Sequence, residues 1–433
     1  MYKLRYYQEN ASKAAKEHDN GILVLPTGAG KSLVIADIVN DTDGNVIVFQ
    51  PNKEILEQNF QKLTDYGFKG ATIFSASLNS KERGKVTFAT IGSVMNKIEL
   101  FEHFEIVIID ECHLVNAKGG QYLDFINHIK PKKVIGLTAT PYRLHTNSFG
   151  SQIKMLTRTR PKVFKDLIHV TQTKELIDAG FLLNPEFMGV EPTEKQRDIL
   201  KPNTSGANYT DKSIATFLKA IDVNSLIIDS VKDITPLVKH ILIFTESIAD
   251  NDIIVREISR LGITVGTIDA LTKRKDREQL LEHFKNGDIK VMVNVGVLTT
   301  GFDFPGLDCL IIGRPTMSLA LWYQMVGRVV RPFPDKTPVV VDLCGNYQYF
   351  GNPLELELKK TNDKLWDVYN GTRQITTRPL EDTSQVNEDV MTFGKFQGTP
   401  MSEVPISYLE WGVENITSTT IIEKFKNELS RRA

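Results

Sequence analysis

The stretch Ile22-Leu23-Val24-Leu25-Pro26-Thr27-Gly28-Ala29-Gly30-Lys31-Ser32-Leu33-Val34-Ile35-Ala36 decides the fold. A short apolar β-type run enters a glycine-rich loop, and an apolar helical run follows as far as Val39. Strand, loop and helix N-terminus make a phosphate cradle, because free backbone N–H groups and the helix dipole face the same anion. Within it Pro26 to Gly30 form the loop, Lys31 reaches the β- and γ-phosphates of a nucleotide, and the Ser32 hydroxyl is placed to ligate Mg²⁺. Leu25 occupies the position of the first glycine in the general pattern. A chance glycine-rich turn is the bland alternative, and the strand and helix on either side weigh against it.

Working outward, a second apolar run, Ile106 to Ile109, ends in Asp110-Glu111-Cys112-His113. A carboxylate at the end of a buried strand beside a phosphate loop holds the Mg²⁺ shell, and a second one orients the attacking water. Asp110 takes the first role and Glu111 the second, with His113 coupling nucleotide state to nucleic acid. Further runs at residues 21–25, 45–49, 86–90, 105–109 and 133–137 complete one doubly wound sheet. A second series covers 240–244, 289–293, 309–312 and 339–342. Such alternation of short β-rich runs with helical stretches predicts an α/β protein with two tandem doubly wound parallel-sheet domains. The expected units are 1–150, a basic connector at 151–180, a second domain at 181–355, a linker at 370–389 and a small accessory module at 390–433.

Composition narrows the class. The 433 residues are 41% hydrophobic and 24% charged, with net charge −1, so disorder is excluded and charge alone identifies no partner. No apolar run is long enough to span a bilayer and the first residues lack a signal-peptide core, so the expected setting is the cytoplasm, or a host's cytoplasm for a phage protein. Cys112, Cys309 and Cys344 lack zinc-ligand spacing. Lys154, Arg158, Arg160, Lys162 and Lys165 form a basic run that either contacts DNA or is a solvated face.

With Thr138-Ala139-Thr140-Pro141, Thr299-Thr300-Gly301-Phe302-Asp303 and Gln324-Met325-Val326-Gly327-Arg328-Val329-Val330-Arg331 following in order, the chain resembles superfamily 2 helicases. Leu25 before Pro26 suits the helicase version of the phosphate loop. Among these it is most similar to RadD-type helicases and phage T5-type branch-migration helicases, although the cysteine-rich zinc element expected of the RadD type is missing. The resemblance implies two RecA-like domains, ATP and Mg²⁺ as cofactors, and DNA, in branched form, as partner. Under it Gln8 reads the adenine edge with Arg5 or Tyr6 stacking on the base. Arg328 and Arg331 are paired arginine fingers, with Gln324, Gly301 and Asp303 completing the interdomain network. Thr138 and Thr140 join His113 in coupling. Phosphates of the track are assigned to Pro51, Lys53, Thr90, Ser93, Thr245, Thr299 and Thr300, with Lys154, Arg158 and Arg160 from the connector. The implied activity is ATP-dependent migration of forks and four-way junctions. An RNA helicase, a double-stranded DNA translocase and a non-enzymatic scaffold with a degenerate nucleotide site are the alternatives. The last is disfavoured because Lys31, Asp110, Glu111, Arg328 and Arg331 are all present.

Overall fold

The computed structural model describes residues 3–147, 150–203, 208–298, 302–361, 365–376, 391, 396, 399–415 and 419–432. An eight-stranded sheet forms the first domain, in the order Leu167–Val170, Asn20–Val24, Lys133–Thr138, Ile106–Asp110, Val46–Phe49, Val86–Ala89, Ala71–Ser75, Ser80–Lys81. All pairings are parallel except the last. The central strands are apolar throughout because helices cover both faces, and Val46 to Phe49 are fully buried.

The second domain is a six-stranded, all-parallel sheet in the order Glu186–Gly189, Val339–Asp342, Cys309–Ile312, Ile241–Phe244, Val291–Asn294, Val265–Ile268. In each sheet the loops at the carboxyl ends of the strands are where an open α/β sheet leaves a crevice. Among the described residues no helix is long and apolar enough to cross a membrane.

Two expected boundaries move. Leu167–Val170, inside the stretch read as a connector, pairs with Asn20–Val24 and so belongs to the first sheet. Residues 370–374, read as the start of a linker, instead contribute to a three-stranded antiparallel sheet of Leu356–Lys360, Trp366–Asn370 and Arg373–Gln374. Residues 377–389 of that linker lie outside the described residues. This small sheet follows the second domain in the chain but returns to the first. The Gln172 amide donates to the Leu358 carbonyl at 2.7 Å and accepts from the Leu358 N–H at 3.1 Å, as a neighbouring strand would. Lys360 lies 3.4 Å from Asp166. The second domain is therefore fastened to the first where the chain enters it and again where the chain leaves it.

Beyond this, Met391, Met401, Val404, Leu409, Ile421 and Phe425 form a separate small core under helices Ile406–Asn415 and Thr419–Arg432. Phe396 packs on Tyr408 within it, whereas Trp411 is exposed.

Candidate functional site

The phosphate loop bends at Gly28 and Gly30, whose φ of +85° and +80° are left-handed values that a side chain would strain. Gly30 also caps helix Lys31–Asn40. Behind the loop, the Ala29 carbonyl accepts from Gln8 Nε2 at 2.8 Å and from the Tyr7 hydroxyl at 3.0 Å. Gln8 Oε1 in turn accepts from the Arg5 N–H at 2.9 Å, so one end of this amide holds the loop and the other caps its own helix. Arg5 lies over the Phe181 ring, 4.2 Å from its centroid.

Glu111 follows its strand in a left-handed conformation, φ 49°, which a non-glycine residue holds at a cost of about 1–3 kcal/mol and which is typical of active sites. The turn aims its carboxylate at Lys31 Nζ, 2.9 Å away, and at His113 Nδ1, 3.3 Å away. His113 Nδ1 also lies 2.9 Å from Thr138 Oγ1, and its Nε2 lies 3.3 Å from Gln324 Nε2 of the second domain. Thr138 Oγ1 accepts from the Thr140 N–H at 3.0 Å, while the buried Thr140 hydroxyl has no hydrogen-bond partner among the described residues. The two adjacent carboxyls diverge electrostatically. Burial, reinforced by the Glu111 charge, pushes Asp110 up to about 6. Burial acts in the same direction on Glu111, but Lys31 and His113 outweigh it and hold Glu111 below the usual carboxylate range.

Sequence reading missed Asn59. It accepts from Ser32 Oγ at 2.6 Å and donates to Asp110 Oδ2 at 3.1 Å and Gln50 Oε1 at 3.0 Å. Its signal was available: Ile55, Leu56, Asn59 and Leu63 form the buried stripe of helix Lys53–Asp65, and an amide in an apolar stripe asks for partners.

The second domain approaches the loop closely. A Cβ on Gly327 would fall 2.7 Å from Thr27 Cβ, and one on Gly28 would fall 3.2 Å from Arg331 Cγ. Arg331 thus lies over the phosphate loop, ion-paired with Asp303, whose other oxygen is 2.6 Å from Lys62 of the first domain. Arg328 behaves differently, being buried and donating to the Phe302 carbonyl at 2.9 Å. Burial lowers both guanidiniums to about 10.

The nucleic-acid set divides. Pro51 and Lys53 follow the strand Val46–Phe49, and Thr90 and Ser93 follow Val86–Ala89, so all four sit at the carboxyl edge that carries the phosphate loop. The Thr90 and Ser93 hydroxyls are 2.9 Å apart. Thr245 is only 2% exposed, with its hydroxyl spent on Asn251, so it leaves the set. Arg158 leaves it too: its guanidinium is buried against Asp367 at 2.8 Å. Lys154 lies on the hairpin Tyr142–Asn147 and Gly150–Met155. Arg160 is exposed near the opposite edge, since the Val163 carbonyl and Lys165 N–H just after it bond Asn20 at the start of its strand, at 2.9 and 2.7 Å. Thr299, Thr300 and Gly301 lie outside the described residues.

Comparison with known proteins agrees with this arrangement. The family described as "Type III restriction enzyme, res subunit" matches residues 1–143, and the family described as "Helicase conserved C-terminal domain" matches residues 228–332. A "51.5 kDa protein" of a Lactococcus phage (isolate 7-9) is 26% identical over 76% of this chain and 66% of its own length. The "ATP-dependent DNA helicase uvsW" of Enterobacteria phage T4 is 26% identical over 78% of this chain and 67% of its own. Among solved structures, the ATP-dependent Type ISP restriction-modification enzyme LlaBIII bound to DNA shares the fold, with a TM-score of 0.59 at 19% identity over 78% of this chain and 27% of that one. The chain thus spans about two thirds of the length of the phage relatives it matches. With the phosphate-loop sheet inside the first family match, the second sheet largely inside the helicase C-terminal match, and residues of the second domain against the phosphate loop, the chain carries the paired domains found in superfamily 2 helicases.

Proposed function

We propose that this chain is an ATP- and Mg²⁺-dependent DNA helicase or translocase that remodels branched DNA, moving forks and four-way junctions. The observation that carries the motor reading is the continuous polar path Lys31, Glu111, His113, Gln324, which joins the nucleotide pocket of one domain to the other. Lys31 pairs with Glu111 at 2.9 Å. A triphosphate competes for the lysine, and its arrival frees the carboxylate to accept a hydrogen bond from the attacking water. Arg331, over the loop, is the group positioned to stabilise charge on the transferring phosphoryl, once drawn from Asp303. Arg328, donating to the Phe302 carbonyl, braces the turn that follows helix Leu319–Val326. His113 passes the state of Glu111 to Gln324, and so to the domain that must move.

Mg²⁺ keeps several waters and takes few protein oxygens, so one hydroxyl and one carboxylate, Ser32 and Asp110 joined through Asn59, fit it. When bound it would neutralise charge on the β- and γ-phosphates. Support for DNA as the track comes from the names of the relatives and from the four residues of the first carboxyl edge, whose hydroxyls, ammonium and loop suit phosphates without reading bases. Strand exchange at a junction breaks one base pair for each one formed, so a small motor need only bias its direction.

The test is ATP turnover with single-stranded DNA, linear duplex, fork, four-way junction and RNA as separate stimulators. Forks and junctions should stimulate most. Equal stimulation by linear duplex would remove the branched-DNA reading, and stronger stimulation by RNA would remove DNA.

A further inference from the structure

We propose that Asn59 is the positioning residue of the metal site, holding the Ser32 hydroxyl and the Asp110 carboxylate in the arrangement that receives Mg²⁺. The inference rests on the ATPase reading above. An asparagine side chain offers two N–H donors and one carbonyl oxygen, and here all are engaged by side chains rather than backbone: Gln50 and Asp110 accept, Ser32 donates. A buried asparagine serving only its own helix would bond the backbone or a neighbour along that helix. These partners instead come from three other places: the end of the strand Val46–Phe49, the end of the strand Ile106–Asp110, and the first turn of helix Lys31–Asn40.

The directions of the bonds matter. Because the Ser32 hydrogen points at Asn59, the lone pairs of its oxygen remain for a cation. Asp110 accepts from Asn59 on Oδ2 and from the Glu111 N–H, at 3.0 Å, on Oδ1, so both carboxylate oxygens are oriented while keeping further lone pairs. Asn59 Oδ1 is occupied by Ser32, which makes it a group that orients ligands and not a ligand itself. Partners of this kind typically change metal affinity by about ten- to a hundredfold when removed. Gln50 extends the same network to the residue just before Pro51 and Lys53, so the metal site and the loop assigned to nucleic-acid phosphate share one amide.

The test measures binding of a fluorescent non-hydrolysable ATP analogue to the full chain as Mg²⁺ is titrated, and again in chelator, for wild type, Asn59→Ala and Asn59→Ser. Asn59→Ala should raise the Mg²⁺ concentration for half-maximal binding by about ten- to a hundredfold and leave affinity in chelator unchanged. Asn59→Ser keeps an acceptor for Ser32 and should recover part of the loss. Thermal unfolding establishes that each variant is folded, and if Asn59→Ala is not, Asn59→Ser decides. Unchanged Mg²⁺ dependence in a folded variant, or an equal loss with and without Mg²⁺, overturns the assignment. Absence of Mg²⁺-dependent binding by the wild type would overturn the ATPase reading first, and this inference with it.

Discussion

Two arginine–aspartate pairs invite comparison. Arg158 and Asp367 are closed off from water, with side chains 3% and 0% exposed, and Thr376 completes the aspartate at 2.7 Å while Arg158 also donates to the Trp366 carbonyl at 2.6 Å. Arg331 and Asp303 are 17% and 32% exposed, and Lys62 competes for the same carboxylate. The first pair joins the small antiparallel sheet to the first domain and offers no route for exchange. The second lies at the nucleotide cleft, where an incoming phosphate can take the arginine and leave Lys62 to keep the aspartate neutralised. A buried pair becomes a switch only where a rival ion can reach it.

The largest effect expected from breaking the comparison is on turnover. Arg331→Ala should lower single-turnover ATP hydrolysis by roughly a thousandfold while nucleotide binding and the unfolding midpoint stay near wild type. Turnover within a few-fold of wild type would remove Arg331 from the finger role. Arg158→Ala should act on stability instead. Leaving Asp367 buried without its cation costs on the order of 3–5 kcal/mol in urea unfolding, whereas the double change Arg158→Met with Asp367→Leu should cost far less, because an apolar pair needs no counter-charge. If single and double variants lose equal stability, the pair is not the staple described. The smallest effect sharpens the picture around Arg331. Lys336 donates to the Arg331 carbonyl at 2.8 Å, and burial lowers its ammonium to about 7 from an ordinary value of 10.5. Between those values the unfolded chain binds the proton and the folded chain does not, so this residue makes stability rise with pH across that window and contributes no slope below it. Unfolding of Lys336→Met followed from pH 7 to 10 should lose that rise. A slope equal to wild type would place the titration elsewhere.

The sequence made legible whatever local chemistry dictates. The phosphate loop, the Asp110-Glu111 strand end and the central strands of both sheets follow from apolar runs and glycine placement, which act over a few residues. Strands at or beside a sheet edge were less visible: Ala71–Ser75 and Val265–Ile268 mix Thr, Ser and Gly with apolar residues because each is only partly covered. Thr245 and Arg158 were misread for one shared reason. A hydroxyl at a strand end and an arginine in a basic run both look solvent-facing until the fold covers them, Thr245 through Asn251 of the next helix and Arg158 through Asp367, more than two hundred residues away in the chain. Asn59 was missed in the opposite sense, since its partners are assembled from three elements that only the folded sheet brings together.

The double fastening of the second domain has a mechanical meaning. A body held at one point can swing in any direction; held at two, it turns easily only about the line through them. The stretch after Val170 and the return at Leu358 are adjacent, because Gln172 pairs with Leu358 directly, so the two anchors act as the leaves of a single hinge. Opening the cleft about that axis would carry Arg331 and Asp303 together away from Lys62 and the phosphate loop, and closing would return them along the same arc. A motor that must repeat a stroke many times gains its reproducibility from such a constraint, as a door gains its line of travel from the jamb.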